Sequence, residues 1–253
     1  MKYFGATDKG KIRKTNQDSY VIVTSSANEV LAIVCDGIGG GQAGDVASSI
    51  AVGHFSEVFS NNQGFLDAKD AKAWLKKEIS AANMKILTLG NEQSNLKGMG
   101  TTLTGVLLSN SGTFVINIGD SRTYSFSKKA KRLDQLTMDH NLANDMLMHG
   151  EITKEEAKNF PKKNVLTNAL GVWETVRMDI DTHSEELDGF LICSDGLHGY
   201  VPKEEIEKIL FDTSMEPSRK VKKMIKKALD AGGYDNVTVI SIDLERSSKW
   251  LII

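Results

Sequence analysis

Two cysteines and three prolines in 253 residues are few of either, and each scarcity excludes something. Cys35 and Cys193 are too few and too far apart for a disulfide framework or a cysteine zinc site. They read as small buried strand residues of a protein kept in a reducing, cytoplasmic setting. Without a proline-rich or Ser/Gly-rich tract no linker announces itself, so residues 1–253 are expected to form one domain. No apolar run approaches the roughly 18 residues of a membrane span, and the opening MKYFGATDKGKIRK carries no apolar signal core. Charge of one sign is lacking too. The 31 Lys and Arg nearly balance the 33 Asp and Glu, leaving a net charge of −2. No global field therefore points to nucleic acid or an anionic membrane, and neither is expected as a partner.

What is there is a sequence of apolar runs ending in acids. LAIVCDG (31–37) and FLICSDG (190–196) are strand-length runs that both stop at Asp-Gly, an echo rather than a duplicated unit. Strands are expected at 19–24, 30–35, 188–194 and 237–244. Residues 101–126 read as consecutive antiparallel strands, the first turn at Asn110-Ser111-Gly112. Helical spacing predicts helices at about 45–60, through Val46, Ile50, Phe55, Val58 and Phe59, and at about 68–89, through Ala71, Trp74, Leu75, Ile79, Ala82 and Ile86. Residues 139–160 read as polar and helical. Later helices start at Pro202 and span 217–230. Strands and helices come in blocks rather than in βαβ alternation, which favours an α+β fold with antiparallel sheets.

The segment GGGQAG (39–44) matches G-x-G-x-x-G after a strand, so nucleotide binding has to be tested first. A dinucleotide fold would return with a parallel strand and an acid about 20 residues on. Here one helix is followed by another, and Asp36 would sit against the pyrophosphate. A P-loop fails as well, because Asp45 rather than Lys-Ser/Thr follows Gly44.

The acids are more informative. Asp36, Asp120, Asp195 and Asp235 each lie at a strand end or tight turn, in VCDGIGG, NIGDSR, CSDGL and GGYDNV. A lone Asp-Gly is usually only a turn. Several carboxylates at the ends of buried strands need compensating cations, and oxygen donors without His or Cys select hard ions such as Mg²⁺ or Mn²⁺. KGKIRKTNQDSY adds Arg13 and Asp18 five residues apart; an arginine fork matches phosphate oxygens.

Eight stretches then make the chain recognisable: RKTNQD (13–18), CDGIGGGQAGDVAS (35–48), GMGTTL (98–103), NIGDSR (117–122), LTMDH (136–140), NVLTNALG (164–171), LICSDG (191–196) and GYDNVTV (233–239). In this order and over nearly the whole chain, they resemble the metal-dependent Ser/Thr protein phosphatases of type 2C, the PPM family, in its bacterial form. The resemblance implies a four-layer αββα sandwich, two antiparallel sheets flanked by helix pairs, with a flap at about 141–170 bordering the substrate cleft. It implies two Mn²⁺ or Mg²⁺ ions: Asp36 bridging both, the Gly37 carbonyl on one, Asp195 and Asp235 completing the other, Asp18 held through water. Asp120 corresponds to the contributor to a third, weaker site shared with Asp195. The implied mechanism is direct attack of a metal-bridging water or hydroxide on phosphoserine or phosphothreonine, with Arg13 on the phosphoryl oxygens. The implied partners are phosphoproteins and a cognate Ser/Thr kinase, and a monomer is the default. An alternative is a catalytically weak module of the same fold that binds phosphoproteins or regulates a partner.

Rival phosphatase chemistries fail on spacing. Cys-x5-Arg meets Gly41 and Gly199, and DIDTH (179–183) only approaches the aspartyl-phosphate motif D-x-D-x-[TV]. Departures from the family pattern are Ile38 where eukaryotic members often carry a His, Gly41 and Asp45 for His and Glu, Gln17 for a frequent Glu, and Asn168 for an Arg near the cleft. With Ile38 in place, the resemblance leaves protonation of the leaving oxygen to a metal-bound water. Lys220, Lys222, Lys223, Lys226 and Lys227 are expected on a solvated helix face. His140 is expected to pack or hydrogen-bond in a turn, and His54, His149, His183 and His198 to be ordinary. SSKWLII is expected to be a packed edge strand.

Overall fold

The structure is a computed structural model that describes residues 1–162, 165–183 and 187–244. Its strands are β1 (Lys2–Asp8), β2 (Asp18–Thr24), β3 (Val30–Ile38), β4 (Gly100–Thr101), β5 (Leu103–Ser109), β6 (Gly112–Ile118), β7 (Arg122–Ser127), β8 (Arg132–Gln135), β9 (Asp179–His183), β10 (Gly189–Cys193) and β11 (Val237–Asp243). Helices are α1 (Ala43–Ser60), α2 (Ala68–Glu92), α3 (Leu142–Met148), α4 (Lys154–Lys158), α5 (Asp195–His198), α6 (Lys203–Leu210) and α7 (Pro217–Asp230).

Two antiparallel sheets form. One runs β1-β11-β10-β7-β8; the other runs β2-β3-β5-β6-β9, with β4 paired to β3. Alternation along each strand explains why they stack. On β3, Leu31, Ile33 and Cys35 pack with α1 and α2, while Val30, Ala32 and Val34 face the second sheet. On β11, Val237 and Val239 lie in the cluster with α6 and α7, while Ile240 and Ile242 join the layer between the sheets. Both faces of each central strand are therefore buried, and the result is the expected αββα sandwich. Cys35 and Cys193 are both buried and free, as read from the sequence.

Several expectations need correction. β1 was not foreseen: it is a half-exposed edge strand whose partner lies at the far end of the chain, with Lys2 opposite Asp243. The 101–126 run is not a continuous meander, because β6 pairs with β5 and β9 whereas β7 pairs with β8 and β10. The turn at 119–121 carries the chain from one sheet to the other. DIDTH is the edge strand β9, and the helical stretch 139–160 divides into α3 and α4. Lys220 is not solvated. It sits one turn from Pro217 and Met224 on the buried stripe of α7, with its side chain fully covered. Its ammonium is 3.0 Å from Asp243, which Lys128 also reaches at 2.9 Å. The edge strand expected of SSKWLII lies outside the described residues, as do Lys163 and Asn164 of the flap segment.

Candidate metal centre

Antiparallel pairing brings the acids to one end of the sandwich. β2 begins at Asp18 and pairs with the end of β3, so Asp18 stands directly opposite Asp36. β6 ends at Ile118 and β7 starts at Arg122, leaving Asp120 in the turn between sheets. In the other sheet, β10 ends just before Asp195 and β11 starts just after Asp235. Each acid marks the point where a strand enters or leaves the same edge of the molecule.

The glycines of the 39–44 loop serve close approach. A Cβ on Gly37 would lie 2.0 Å from the Gly44 carbonyl oxygen, so only glycine lets α1 start against the end of β3. A Cβ on Gly40 or Gly41 would meet nothing within 4 Å, so these two line no cradle. The backbone at Asp36 is clamped instead by threonines that sequence reading did not assign a role. Thr102 Oγ1 accepts from the Asp36 N–H at 2.9 Å, and the Asp36 carbonyl accepts from Thr102 N–H at 2.9 Å and Thr101 Oγ1–H at 3.0 Å.

Asp18 is held just as firmly. Its Oδ2 accepts from Ser194 and Thr238 hydroxyls, both at 2.7 Å, while its Oδ1 is buried without a partner. Asn236 pins the arginine loop to β11. Its Nδ2 donates to the carbonyls of Lys9 and Thr15, and its Oδ1 accepts from Gln17 N–H. Arg13 thereby reaches Asp235, with Nη2 to Oδ2 at 2.8 Å, and keeps about half of its side chain exposed at 53%. Neither Ser194, Thr238 nor Asn236 is set apart by pattern alone; only their position beside Asp195, Asp235 and Val237 hinted at them.

The electrostatics are those of crowded like charges. Burial raises the Asp36 carboxyl well above the usual carboxylate range, and Asp18, Asp195, Asp120 and Asp235 push it further. Burial lifts Asp18 to about 7 against the two hydroxyl donors, Asp120 to about 7 with help from Asp195, and Asp195 to about 6 with help from Asp235. The Asp36 and Asp195 carboxyls lie within hydrogen-bonding reach of each other. Two carboxylates meet this way only over a shared proton or a cation.

Among the described residues, no three acid, His or Cys side chains close into a finished cage. The side-chain donors gathered here are carboxylates, which suit hard divalent ions that keep water in their shell. The unpartnered Asp18 oxygen and the Asp36–Asp195 approach fit such ions. His198 is neutral: burial drives it to about 3, and its Nε2–H donates to the Asp120 carbonyl at 3.1 Å. His140 is hydrogen-bonded as expected, with Nε2 to Asp179 at 2.9 Å and Nδ1 accepting from Gly119 N–H and Asn168 Nδ2–H. Asn168 also binds both backbone groups of Arg177, whose guanidinium lies 3.4 Å from Asp145 on α3. Its effect is thus a staple as well as the loss of a cation.

The model for protein phosphatase 2C matches residues 11–231, which include Arg13, Asp18, Asp36, Asp120 and Asp195, while Asp235 lies four residues beyond the match. The chain belongs to the protein phosphatase 2C family. Among its relatives is a "serine/threonine phosphatase stp" of Listeria welshimeri, 40% identical over 244 residues and covering 96% of each chain. "Protein phosphatase PhpP" of Streptococcus pneumoniae is 33% identical, over 94% of this chain and 95% of that one. A solved structure described as Stp1, a serine/threonine phosphatase from Staphylococcus aureus, superposes with a TM-score of 0.86 at 31% identity, covering 96% of this chain and 94% of that one. For this member of the family, the crowded acids at one end of the sandwich are the natural place to look for chemistry.

Proposed function

We propose that this phosphatase 2C chain hydrolyses phosphoserine and phosphothreonine in proteins at the acid cluster, using two Mn²⁺ or Mg²⁺ ions and a third, weaker one. Asp36, the Gly37 carbonyl, Asp195 and Asp235 hold the first two, Asp18 acts through water, and Asp120 with Asp195 serves the third. One observation carries the reading: five carboxylates from separate strand ends crowd together, and the one ion pair made to any of them among the described residues is that of Arg13 with Asp235. When bound, the ions supply a nucleophile at neutral pH and offset charge on the phosphoryl group.

The chain's own residues do the rest. Arg13 offers its exposed fork to the phosphoryl oxygens and orients phosphorus over the acids. Thr101, Thr102, Ser194 and Thr238 fix Asp36 and Asp18, so little reorganisation accompanies the reaction. Ile38 has no proton to give, and the leaving oxygen takes its proton from solvent in the cleft. α3 and α4, within the 141–170 segment, form the flap. Phosphoproteins, the targets of a cognate Ser/Thr kinase, are the substrates. No helix among the described residues is long and apolar enough to cross a membrane; a cytoplasmic monomer is the form we propose.

Hydrolysis of p-nitrophenyl phosphate and of a phosphothreonine peptide, with Mn²⁺ and after chelation, tests this directly. Turnover that follows added metal supports the enzyme. Peptide binding without turnover at any metal concentration would leave the regulatory module in its place.

A further inference from the structure

A cleft of about 770 Å³ opens beside the acid cluster. Its lining includes Asp120, Asp195, His198 and Tyr200 together with residues of α3 and α4. Three further lining residues form an electrically closed group. Arg122 donates two bonds to Asp139, at 2.8 and 2.7 Å, and Gln135 adds a third at 3.2 Å. These groups satisfy one another and have no charge left for a ligand.

The lysines of α4 differ. The segment KEEAK turns Lys154, Ala157 and Lys158 toward the cleft, the i, i+3, i+4 face of one helical turn. Its glutamates do not line the cleft. Glu156 closes the capping box with Thr153, and Glu155 meets Lys158 at 3.3 Å across an exposed pair of little strength. Lys154 makes no ion pair with Asp120 or Asp195 among the described residues. Resting on the metal reading above, cations on Asp120 and Asp195 cancel the negative wall. Lys154 and Lys158 are then the cationic side chains lining the cleft beside the Arg122–Asp139 pair.

We propose that this cleft is a subsite for a second anionic group of the same substrate chain, a carboxylate or a second phosphoryl, engaged by Lys154 and Lys158. The enzyme then favours phosphosites flanked by acidic residues or by another phosphorylated residue. Two exposed lysines confer a preference of about fivefold to tenfold that fades at high salt.

Three phosphothreonine peptides test it: one with neutral flanks, one with glutamate scanned through the flanking positions, one with a second phosphoserine there. kcat/KM is measured with Mn²⁺, and affinity is measured by fluorescence anisotropy with the matching non-hydrolysable phosphonates. The wild type is expected to prefer an anionic flank about fivefold to tenfold. The Lys154→Ala/Lys158→Ala double variant should lose that preference while handling the neutral peptide within about twofold. Lys154→Arg should retain it. A preference for only one of the two anionic peptides identifies which anion the subsite takes. Equal handling of all peptides by the wild type, or an equal loss on all of them in the double variant, would overturn the subsite. Failure of the wild type to hydrolyse p-nitrophenyl phosphate counts against the phosphatase reading alone, since anisotropy still scores the flank preference.

Discussion

β11 has an acid at each end, and the two have opposite surroundings. Asp243, which closes the strand, is held by Lys220 at 3.0 Å and Lys128 at 2.9 Å, both within 6 Å of the Phe126 ring centre. Asp235, just before the strand, has Arg13 on one side and Asp195 and Asp36 as neighbours on the other. One end of the sandwich neutralises its own charge and needs nothing further. The other gathers five carboxylates around one arginine, the imbalance on which the proposed metal reading rests. The difference separates an acid paired within the fold from acids whose burial beside like charges is costly, the pattern expected of a functional site.

Removing an acid from each end should break that symmetry most sharply. Asp36→Ala is expected to lower turnover by about a thousandfold or more, while the metal-free protein keeps or gains thermal stability because a repelled buried charge is gone. Assay beside a melting curve checks both halves. At the far end, Lys220→Met should cost about 3 kcal/mol by leaving Asp243 half-compensated, with turnover per folded molecule unchanged. Denaturant unfolding measures it.

Arg13→Ala should come next. It is expected to reduce kcat/KM about tenfold to a hundredfold, mainly through KM, without lowering Mn²⁺ affinity, since Asp235 loses a competitor. The pH response sharpens the contrast further. Asp18, Asp120 and Asp195 have folded values raised to about 7, 7 and 6. The unfolded chain therefore releases these protons first, and the metal-free protein loses stability as pH rises from about 4 to about 7. Saturating Mn²⁺ should flatten that fall in melting curves taken across pH. Smallest of all, Lys223→Ala on the exposed face of α7 should change stability by less than about 0.5 kcal/mol, against the large effect three residues earlier.

Much of this was legible in the sequence, for identifiable reasons. The runs 30–35 and 189–193 are buried on both faces, so their apolar character alone marks them as central strands. The acids could be named because each ends or precedes such a run. Edge strands β1 and β9 were missed because a half-exposed strand paired on one side carries little periodic signal. The change of sheet at 119–121 was invisible, since a turn between sheets reads like a turn within one. Lys220 was assigned by residue type, although its spacing from Pro217 and Met224 already placed it on the buried stripe. Ser194, Thr238 and Asn236 act through contacts with segments about 180 to 230 residues away, which no local pattern encodes.

The central claim is that the Asp36 end of the sandwich exists to hold divalent cations and the Asp243 end does not. Calorimetric titration of the metal-free protein with Mn²⁺ at pH 6 tests it most directly, with proton release followed through buffers of different ionisation enthalpy. The account predicts at least two bound ions with protons released, loss of the tight sites in Asp36→Asn, and their retention in Asp243→Asn. Unchanged Mn²⁺ binding in Asp36→Asn would contradict it.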